Sequence, residues 1–305
     1  MIGGILFKGG YLSPKLTFIF WMRRWLRTIP AYWTVLIVLL ITAGHFTNPR
    51  IYSYFFFAQN IFATPQELNL FFGVAWSLAI EEVFYITLPL IILFNSYFIH
   101  IRARAILVSC LFLMLIPPLF RYFFYLELDW WQIRKLIFPR LDALSYGVIV
   151  AYCKYFHVNI YNKLTSKCFL FFWFPGVVIF FYILFIDPSL LQSAPMKVFG
   201  FCIIPFFTAI AIPSIADINI SGTHNQGTKF VTKISILSYS IYLVHWDLEL
   251  IIQKTVLKLD SMNSNLLTGD LFSGAIFIVC TTFLALFLYA YIEKPFLLLR
   301  NKYFY

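Results

Sequence analysis

The sequence predicts an all-α, polytopic membrane helix bundle of about eight transmembrane helices, forming a single domain over residues 1–305. Hydrophobic residues make up 61% of the chain and charged residues only 12%, whereas soluble domains are about 25% charged. The mean hydropathy is +0.83. Phe, Trp and Tyr account for 21% of the residues, a composition typical of proteins with aromatic belts at the membrane surfaces.

Eight apolar runs are long enough to cross a hydrocarbon core about 30 Å thick. The fourth run contains Asp142 in its first turn, and the segment 52–63 is too short to cross, so we expect it to lie at the interface. The predicted spans are residues 31–46, 71–96, 105–120, 138–156, 168–186, 197–215, 234–252 and 271–292.

The positions of the charges predict the orientation of the chain. If the N-terminus is cytoplasmic, 15 of the 23 lysines and arginines fall in inside segments, as the positive-inside rule expects. Both termini are then predicted to be cytoplasmic. The net charge of +10 therefore needs no nucleic-acid partner, and the lipid bilayer is the expected environment. The five cysteines form no CxxC or metal-ligand spacing, so neither a disulfide framework nor a metal site is indicated.

Two adjacent glutamates interrupt the second predicted span. Ser77, Glu81 and Tyr85 recur every four residues, which predicts one polar stripe on a helix, with Glu82 pointing about 100° away. Ionisable groups inside a membrane are costly and mark functional sites by default. The alternative interpretation is an acid that pairs with a buried Arg or Lys and stabilises helix packing.

The seventh predicted span contains a second polar group. Tyr242, His245 and Glu249 follow three-and-four spacing, so they share one helix face, and Asp247 lies nearby. A histidine oriented by a partner can act as a general acid or base. The alternative is a histidine whose hydrogen bonds are satisfied within the helix bundle. Asp247 and Glu249 receive no role from the sequence.

Three arginines, Arg23, Arg24 and Arg27, precede the first predicted span, and Pro30 is expected to begin its helix. Guanidinium groups match phosphate geometry. However, basic residues also anchor helix ends at the cytoplasmic surface, so the pattern leaves a phosphate site and an orientation anchor open.

The segment PRLDALSYG (139–147) begins the fourth predicted span. Asp142 near a helix start is stabilised by the helix dipole. Arg140 could pair with Asp142 or with a glutamate of the second span. These polar groups alone do not separate an enzyme from a transporter.

Five stretches occur in the order typical of the acyltransferase-3 family of integral membrane O-acyltransferases, and the chain resembles that family. The stretches are RRWLRTIPAYW (23–33), WSLAIEEVFY (76–85), RLDALSYG (140–147), LSYSIYLVHW (237–246) and YIEKPF (291–296).

The resemblance implies an enzyme of the bacterial cytoplasmic membrane that transfers an acyl group, usually acetyl, from cytoplasmic acyl-CoA to a hydroxyl of a surface glycan. Such acceptors include lipopolysaccharide, capsule and peptidoglycan. It implies that Arg24 and Arg27, next to Arg23, hold the donor phosphates, and that Glu81 and His245 with Tyr242 are catalytic. Ser77, Glu82, Tyr85, Arg140 and Asp142 would form a supporting network. Acetyl-CoA is a substrate here, and no permanently bound cofactor is expected.

The chain departs from the family pattern at its beginning. Family members usually have ten spans, and an early span carries the histidine regarded as the catalytic base. The start, GGILFKGGYL (3–12), resembles the tail of a second span, so the domain is expected to be incomplete at its N-terminus. Two alternatives therefore remain: a non-catalytic remnant of the family, and a transporter or exporter of a polar substrate.

Overall fold

The computed structural model describes residues 13–43, 49–61, 71–185, 188–217, 226–260 and 269–304. These residues form helices and turns, and none of them lies in a β-strand. The predicted all-α class is therefore confirmed. The first twelve residues, including the stretch 3–12 discussed above, lie outside the described part of the chain.

Helices account for each of the eight predicted spans. The twelve α-helices of the described residues are α1 (Pro14–Ala43), α2 (Tyr52–Phe55), α3 (Ala75–Phe98), α4 (Arg102–Phe124), α5 (Trp130–Lys135), α6 (Asp142–Phe156), α7 (Val158–Leu164), α8 (Cys168–Phe185), α9 (Phe201–Ala216), α10 (Gln226–Asp260), α11 (Gly269–Leu288) and α12 (Lys294–Tyr303). π-Helical turns at Met196–Gly200 and Tyr289–Glu293 lead into α9 and α12.

Five helical segments of the described residues are long and apolar enough to cross a membrane. They are Pro14–Thr42, Ala75–Phe98, Arg102–Phe124, Met196–Ala216 and Ser273–Tyr303. The chain is thus a multi-pass membrane protein by length and composition. The other predicted spans coincide with α6, which has 15 residues, with α8, and with α10, whose 35 residues include several charges.

The expectation that Pro30 begins the first membrane helix is wrong. α1 starts at Pro14 and continues through Pro30. A proline inside a helix removes one backbone hydrogen bond, here the bond to the Leu26 carbonyl, and membrane helices tolerate such positions. Two threonine side chains bond to other carbonyls of the same helix. Thr34 donates from Oγ1 to the Pro30 carbonyl at 2.8 Å, and Thr28 donates to the Arg24 carbonyl at 3.2 Å.

The chain divides into two compact units. The described residues of unit 1 fall within Met1–Trp21, Phe56–Leu68 and Trp76–Asn219, and those of unit 2 within Met22–Phe55, Asn69–Ala75 and Ile220–Tyr305. In unit 1, α6 packs against both α4 and α9, and α8 packs against α9. In unit 2, the long helix α10 packs along α11. The predicted polar groups are therefore distributed between two separately packed sets of helices.

Candidate functional site

The predicted glutamate stripe of α3 lies in unit 1. Tyr85, which is 3% exposed, donates from its hydroxyl to Glu81 Oε2 at 3.0 Å. The Trp21 indole donates to the Tyr85 carbonyl at 2.9 Å and packs α1 against α3. Glu82 is also 3% exposed, and Ser77 lies one turn before Glu81 and is half-buried. The Glu81 carboxylate is thus oriented by a buried tyrosine.

Asp142 pairs with Arg121. The Arg121 guanidinium donates to both carboxylate oxygens of Asp142, at 2.9 and 3.2 Å, and both side chains are fully buried. Arg121 also donates to the Val198 carbonyl at 2.7 Å and to the Pro139 carbonyl. This one guanidinium therefore joins α4, the start of α6 and the π-helical turn before α9. Asp142 lies in the first turn of α6, as predicted, and the N-cap position before it is Leu141, which makes no side-chain capping hydrogen bond.

Arg121 was not identified from the sequence because it follows the apolar run 105–120. The signal that could have found it is its phase on α4. Ser109, Leu113, Pro117 and Arg121 recur every four residues and are all buried, so they lie on one face of the helix. A charged residue in phase with a buried face requires a partner inside the bundle.

Arg140 lies near this ion pair but stacks on an aromatic ring. Its guanidinium carbon is 4.5 Å from the centroid of the Phe201 ring. The neighbouring Arg134 lies over the rings of Trp76 and Trp131, at 5.3 and 5.4 Å. Burial, followed by the positive charge of Arg134, lowers the pKa of Lys135, although Asp129 opposes this shift. Unit 1 therefore collects several cations beside α5.

His245 belongs to unit 2, where its tautomer is defined by the backbone. Nδ1 of His245 lies 2.8 Å from the carbonyl oxygen of Tyr242. Because a carbonyl oxygen only accepts hydrogen bonds, Nδ1 carries the hydrogen and the neutral ring has its lone pair on Nε2. The Tyr242 hydroxyl donates to the Val74 carbonyl at 3.4 Å. This arrangement gives α10 an oriented imidazole that can accept a proton at Nε2.

Asp247 and Tyr54 hold the short segment that precedes α3. The Asp247 carboxylate accepts a hydrogen bond from the Gly73 amide, and the Tyr54 hydroxyl donates to the Phe71 carbonyl at 2.9 Å. Between these two contacts Phe72 adopts a φ of 47°, which is strained for a bulky residue. Such strain persists only where the surrounding contacts enforce it, and it is found preferentially at functional sites.

Two further contacts involve Phe72 and Glu249. Phe72 stacks on Tyr32 with ring centroids 5.2 Å apart. Glu249 accepts a hydrogen bond from Gln253 at 3.2 Å, one turn further along α10. Asp247 thus contacts the strained segment, whereas Glu249 is half-buried and bonds to a neighbour on its own helix.

The arginine stretch meets two of the other predicted stretches in unit 2. The Tyr239 hydroxyl donates to the Thr28 carbonyl at 2.8 Å, and Ser240 donates to Glu293 Oε2 at 2.8 Å. Arg27 is exposed and close enough to act electrostatically on the buried Glu293 carboxylate. Residues 23–33, 237–246 and 291–296 therefore pack together, although more than 200 residues separate the first stretch from the others.

The fold and these sites define a multi-pass, all-α membrane protein with buried ionisable groups in both of its units. Within the described residues, no group of three or more His, Cys, Asp or Glu side chains is arranged to hold a metal ion. Comparisons with protein-family models, curated proteins and solved structures return no match.

We predict that replacing Tyr54 with phenylalanine lowers the melting temperature (Tm). The Phe71 carbonyl then loses this half-buried hydrogen bond, and a typical bond of this kind contributes about 0.5–1.5 kcal/mol. Burial and, secondarily, the charge of Asp247 raise the pKa of Tyr54 to about 12, whereas an unfolded tyrosine titrates near 10. The stabilisation by neutral Tyr54 is thus complete below pH 10 and is lost as the pH rises towards 12.

The measurement is the Tm of both proteins from pH 7 to 12. The difference in Tm between Tyr54→Phe and the unchanged protein should be constant up to about pH 9.5 and should become smaller above pH 10. Tyr52→Phe is the matched control, because Tyr52 lies on the same short helix and is 63% exposed. A difference that does not change with pH would contradict the assigned role of Tyr54.

Proposed function

We propose that the chain is a membrane O-acyltransferase of the bacterial cytoplasmic membrane. It transfers an acyl group, with acetyl as the expected group, from cytoplasmic acyl-CoA to a hydroxyl of a surface glycan such as lipopolysaccharide, capsule or peptidoglycan. The observation that supports this proposal most strongly is the packing of three of the five family-like stretches in unit 2, through the Tyr239–Thr28 and Ser240–Glu293 hydrogen bonds.

The donor side of the proposed reaction uses the arginines of α1. Arg27 is exposed, while Arg23 and Arg24 are half-buried, so a ligand can approach at least one guanidinium directly. The positive-inside rule assigns the N-terminal half of α1, which contains these arginines, and both chain termini to the cytoplasm, where acyl-CoA is available. Guanidinium groups bind phosphates through paired, charge-assisted hydrogen bonds, and CoA carries several phosphate groups.

The chemical step of the proposed reaction requires a base for the acceptor hydroxyl. Nε2 of His245 takes the proton from that hydroxyl as its oxygen forms a bond to the thioester carbonyl carbon. The carbon–sulfur bond then breaks, and the CoA thiolate leaves and takes up a proton. Tyr242 orients His245 through its carbonyl. The resemblance also assigns a catalytic role to Glu81, whose carboxylate accepts a hydrogen bond from Tyr85 in unit 1.

The first test is binding of acetyl-CoA to the purified full-length chain in lipid nanodiscs. The unchanged protein should bind acetyl-CoA, and Arg24→Gln/Arg27→Gln should weaken binding by about 100-fold or more, because two charge-assisted contacts of about 1.5–3 kcal/mol each are removed. The matched control is Lys229→Gln/Lys233→Gln, which removes the same charge from two exposed positions in the first turns of α10 and should bind normally.

Two results would contradict the proposal. If the unchanged protein does not bind acetyl-CoA, the acyltransferase function is wrong and a transporter of a polar substrate becomes the better interpretation. If binding occurs but survives the double arginine change, the donor site lies elsewhere. A Tm measured for each variant distinguishes lost phosphate contacts from a disturbed Arg27–Glu293 interaction, which would lower the Tm.

A further inference from the structure

Unit 1 contains a cavity of about 290 Å³. Its wall includes two guanidinium groups and four aromatic rings. The guanidinium groups are those of Arg134 and Arg140, and the rings are those of Trp76, Trp130, Phe180 and Phe201. Small-molecule sites begin at about 300 Å³ and combine apolar walls with a few placed polar groups. The cavity therefore has the size and the lining of a site for a ligand of about one ring.

The charges around this cavity favour an anionic ligand. Arg140 experiences the positive charges of Arg121 and Arg134 as well as the negative charge of Asp142. Both oxygens of the Asp142 carboxylate already accept hydrogen bonds from Arg121. The charge of Arg140 is therefore close to two other guanidinium groups and to one carboxylate, and Arg121 already occupies both oxygens of that carboxylate. Excess charge of one sign in a poorly hydrated region is costly, so binding of an anion there is favoured.

Two donors on the cavity wall also lack partners. Nε of Arg140 and Nε1 of Trp130 are buried, and neither has a hydrogen-bond partner within the described part of the chain. Buried polar groups are hydrogen-bonded in the great majority of cases. Both of these groups only donate, so the ligand that completes them must present acceptor oxygens.

The aromatic rings hold the cations in place. Arg140 stacks on Phe201 at 4.5 Å, and Phe201 in turn stacks on Trp130 with centroids 4.9 Å apart. Arg134 lies over Trp76. A guanidinium that stacks through its face keeps its in-plane N–H groups for hydrogen bonds, and it is ordered before a ligand arrives. The rings also provide flat apolar surface for a ring-shaped ligand.

We propose that this cavity binds one anionic sugar unit, through a carboxylate or phosphate substituent. The guanidinium groups and the indole N–H contact the anionic oxygens, and the aromatic side chains contact the sugar ring. The assignment of this sugar as part of the acceptor glycan rests on the proposed function. Binding of the sugar is independent of the proposed function, because it requires no acyl donor.

The test uses the purified full-length chain in nanodiscs of zwitterionic lipid, without acetyl-CoA. Glucuronate and glucose 1-phosphate are titrated while tryptophan fluorescence is recorded, and glucose is the neutral comparison. We expect at least one of the two anionic sugars to bind at least tenfold more tightly than glucose. Arg140→Gln should weaken that binding at least tenfold, and Arg140→Lys, which keeps the charge but loses the planar fork, should give an intermediate loss.

Lys163→Gln is the matched control, since Lys163 is an exposed cation of α7 in the same unit, and it should bind like the unchanged protein. If Arg140→Gln does not fold, Arg134→Gln replaces it with the same expected loss. Equal binding of glucose, no binding of either anionic sugar, or full binding by the folded arginine variants would overturn the proposal.

Anionic lipid provides the last comparison. If nanodiscs containing phosphatidylglycerol abolish sugar binding in an Arg140-dependent way, the cavity binds a lipid headgroup and the assignment to a sugar is wrong. Binding of an anionic sugar together with a failure to bind acetyl-CoA would leave the cavity site in place and remove only its role as an acceptor site.

Discussion

Replacing Asp142 with asparagine is expected to destabilise the protein by about 3–5 kcal/mol, the cost of breaking a buried ion pair by removing one partner. Asparagine has nearly the same shape, so the change isolates the charge. Arg121 would remain fully buried with its positive charge no longer balanced, although its hydrogen bonds to the Val198 and Pro139 carbonyls could persist. Because this guanidinium joins α4, α6 and the turn before α9, its loss of orientation should loosen unit 1.

The measurement is the Tm, together with denaturant unfolding in mixed micelles. Glu127→Gln is the matched control, because it removes an exposed acid just after α4 and should change stability by no more than about 0.5 kcal/mol. The double change Arg121→Met/Asp142→Leu should recover part of the loss, since a buried pair replaced by apolar residues is often neutral. Recovery should be incomplete because two buried carbonyls then lose their donor. An Asp142→Asn protein as stable as Glu127→Gln would contradict this account.

Local sequence patterns predict much of this fold but not its boundaries. Runs of apolar residues correspond to helices throughout the described chain because lipid requires backbone hydrogen bonds to be satisfied within each segment. The first helix begins 17 residues before its predicted start at residue 31, because a proline is typical of the first turn of a helix and Pro30 therefore predicts a boundary. The helix continues through Pro30, because a membrane helix tolerates the loss of one backbone hydrogen bond.

The site residues also differ in how far they could be predicted, because some contacts lie within one helix and others join distant segments. The Glu81–Tyr85 hydrogen bond joins residues four apart, and helix periodicity alone places these two residues on one face. The partner of Asp142, in contrast, is 21 residues away, and the Tyr239–Thr28 contact spans 211 residues. Such contacts depend on how helices pack, which one sequence without homologues does not specify. Arg121 was still within reach of prediction, because its phase on α4 placed it on a buried face.

The strained backbone before α3 is predicted neither by hydropathy patterns nor by residue conformational preferences. Phe72 occupies a positive φ that residue preferences would assign to glycine or asparagine. The contacts that enforce it come from Tyr54 on α2 and Asp247 on α10. Asp247 holds this segment through a contact between α10 and residue 73, and local sequence patterns do not predict such a contact.

Replacing His245 with asparagine is expected to lower the rate of acyl transfer by about 10²–10⁴-fold, the usual contribution of a general base. Asparagine can place its amide near the position of Nδ1 and keep a donor for the Tyr242 carbonyl, which His245 contacts at 2.8 Å. It has no group equivalent to the lone pair on Nε2. The variant should therefore fold with a Tm close to that of the unchanged protein and still bind acetyl-CoA.

The rate is measured as transfer of labelled acetyl from acetyl-CoA to glycan in nanodiscs, with acetyl-CoA affinity measured in parallel. His100→Asn is the control, since His100 is exposed between α3 and α4 and should transfer normally. A loss of rate with unchanged donor affinity and Tm assigns the defect to proton transfer, because a structural role would lower the Tm as well. Transfer within threefold of the unchanged protein would remove His245 from the chemical step, and the base would then have to come from another residue or from a partner chain.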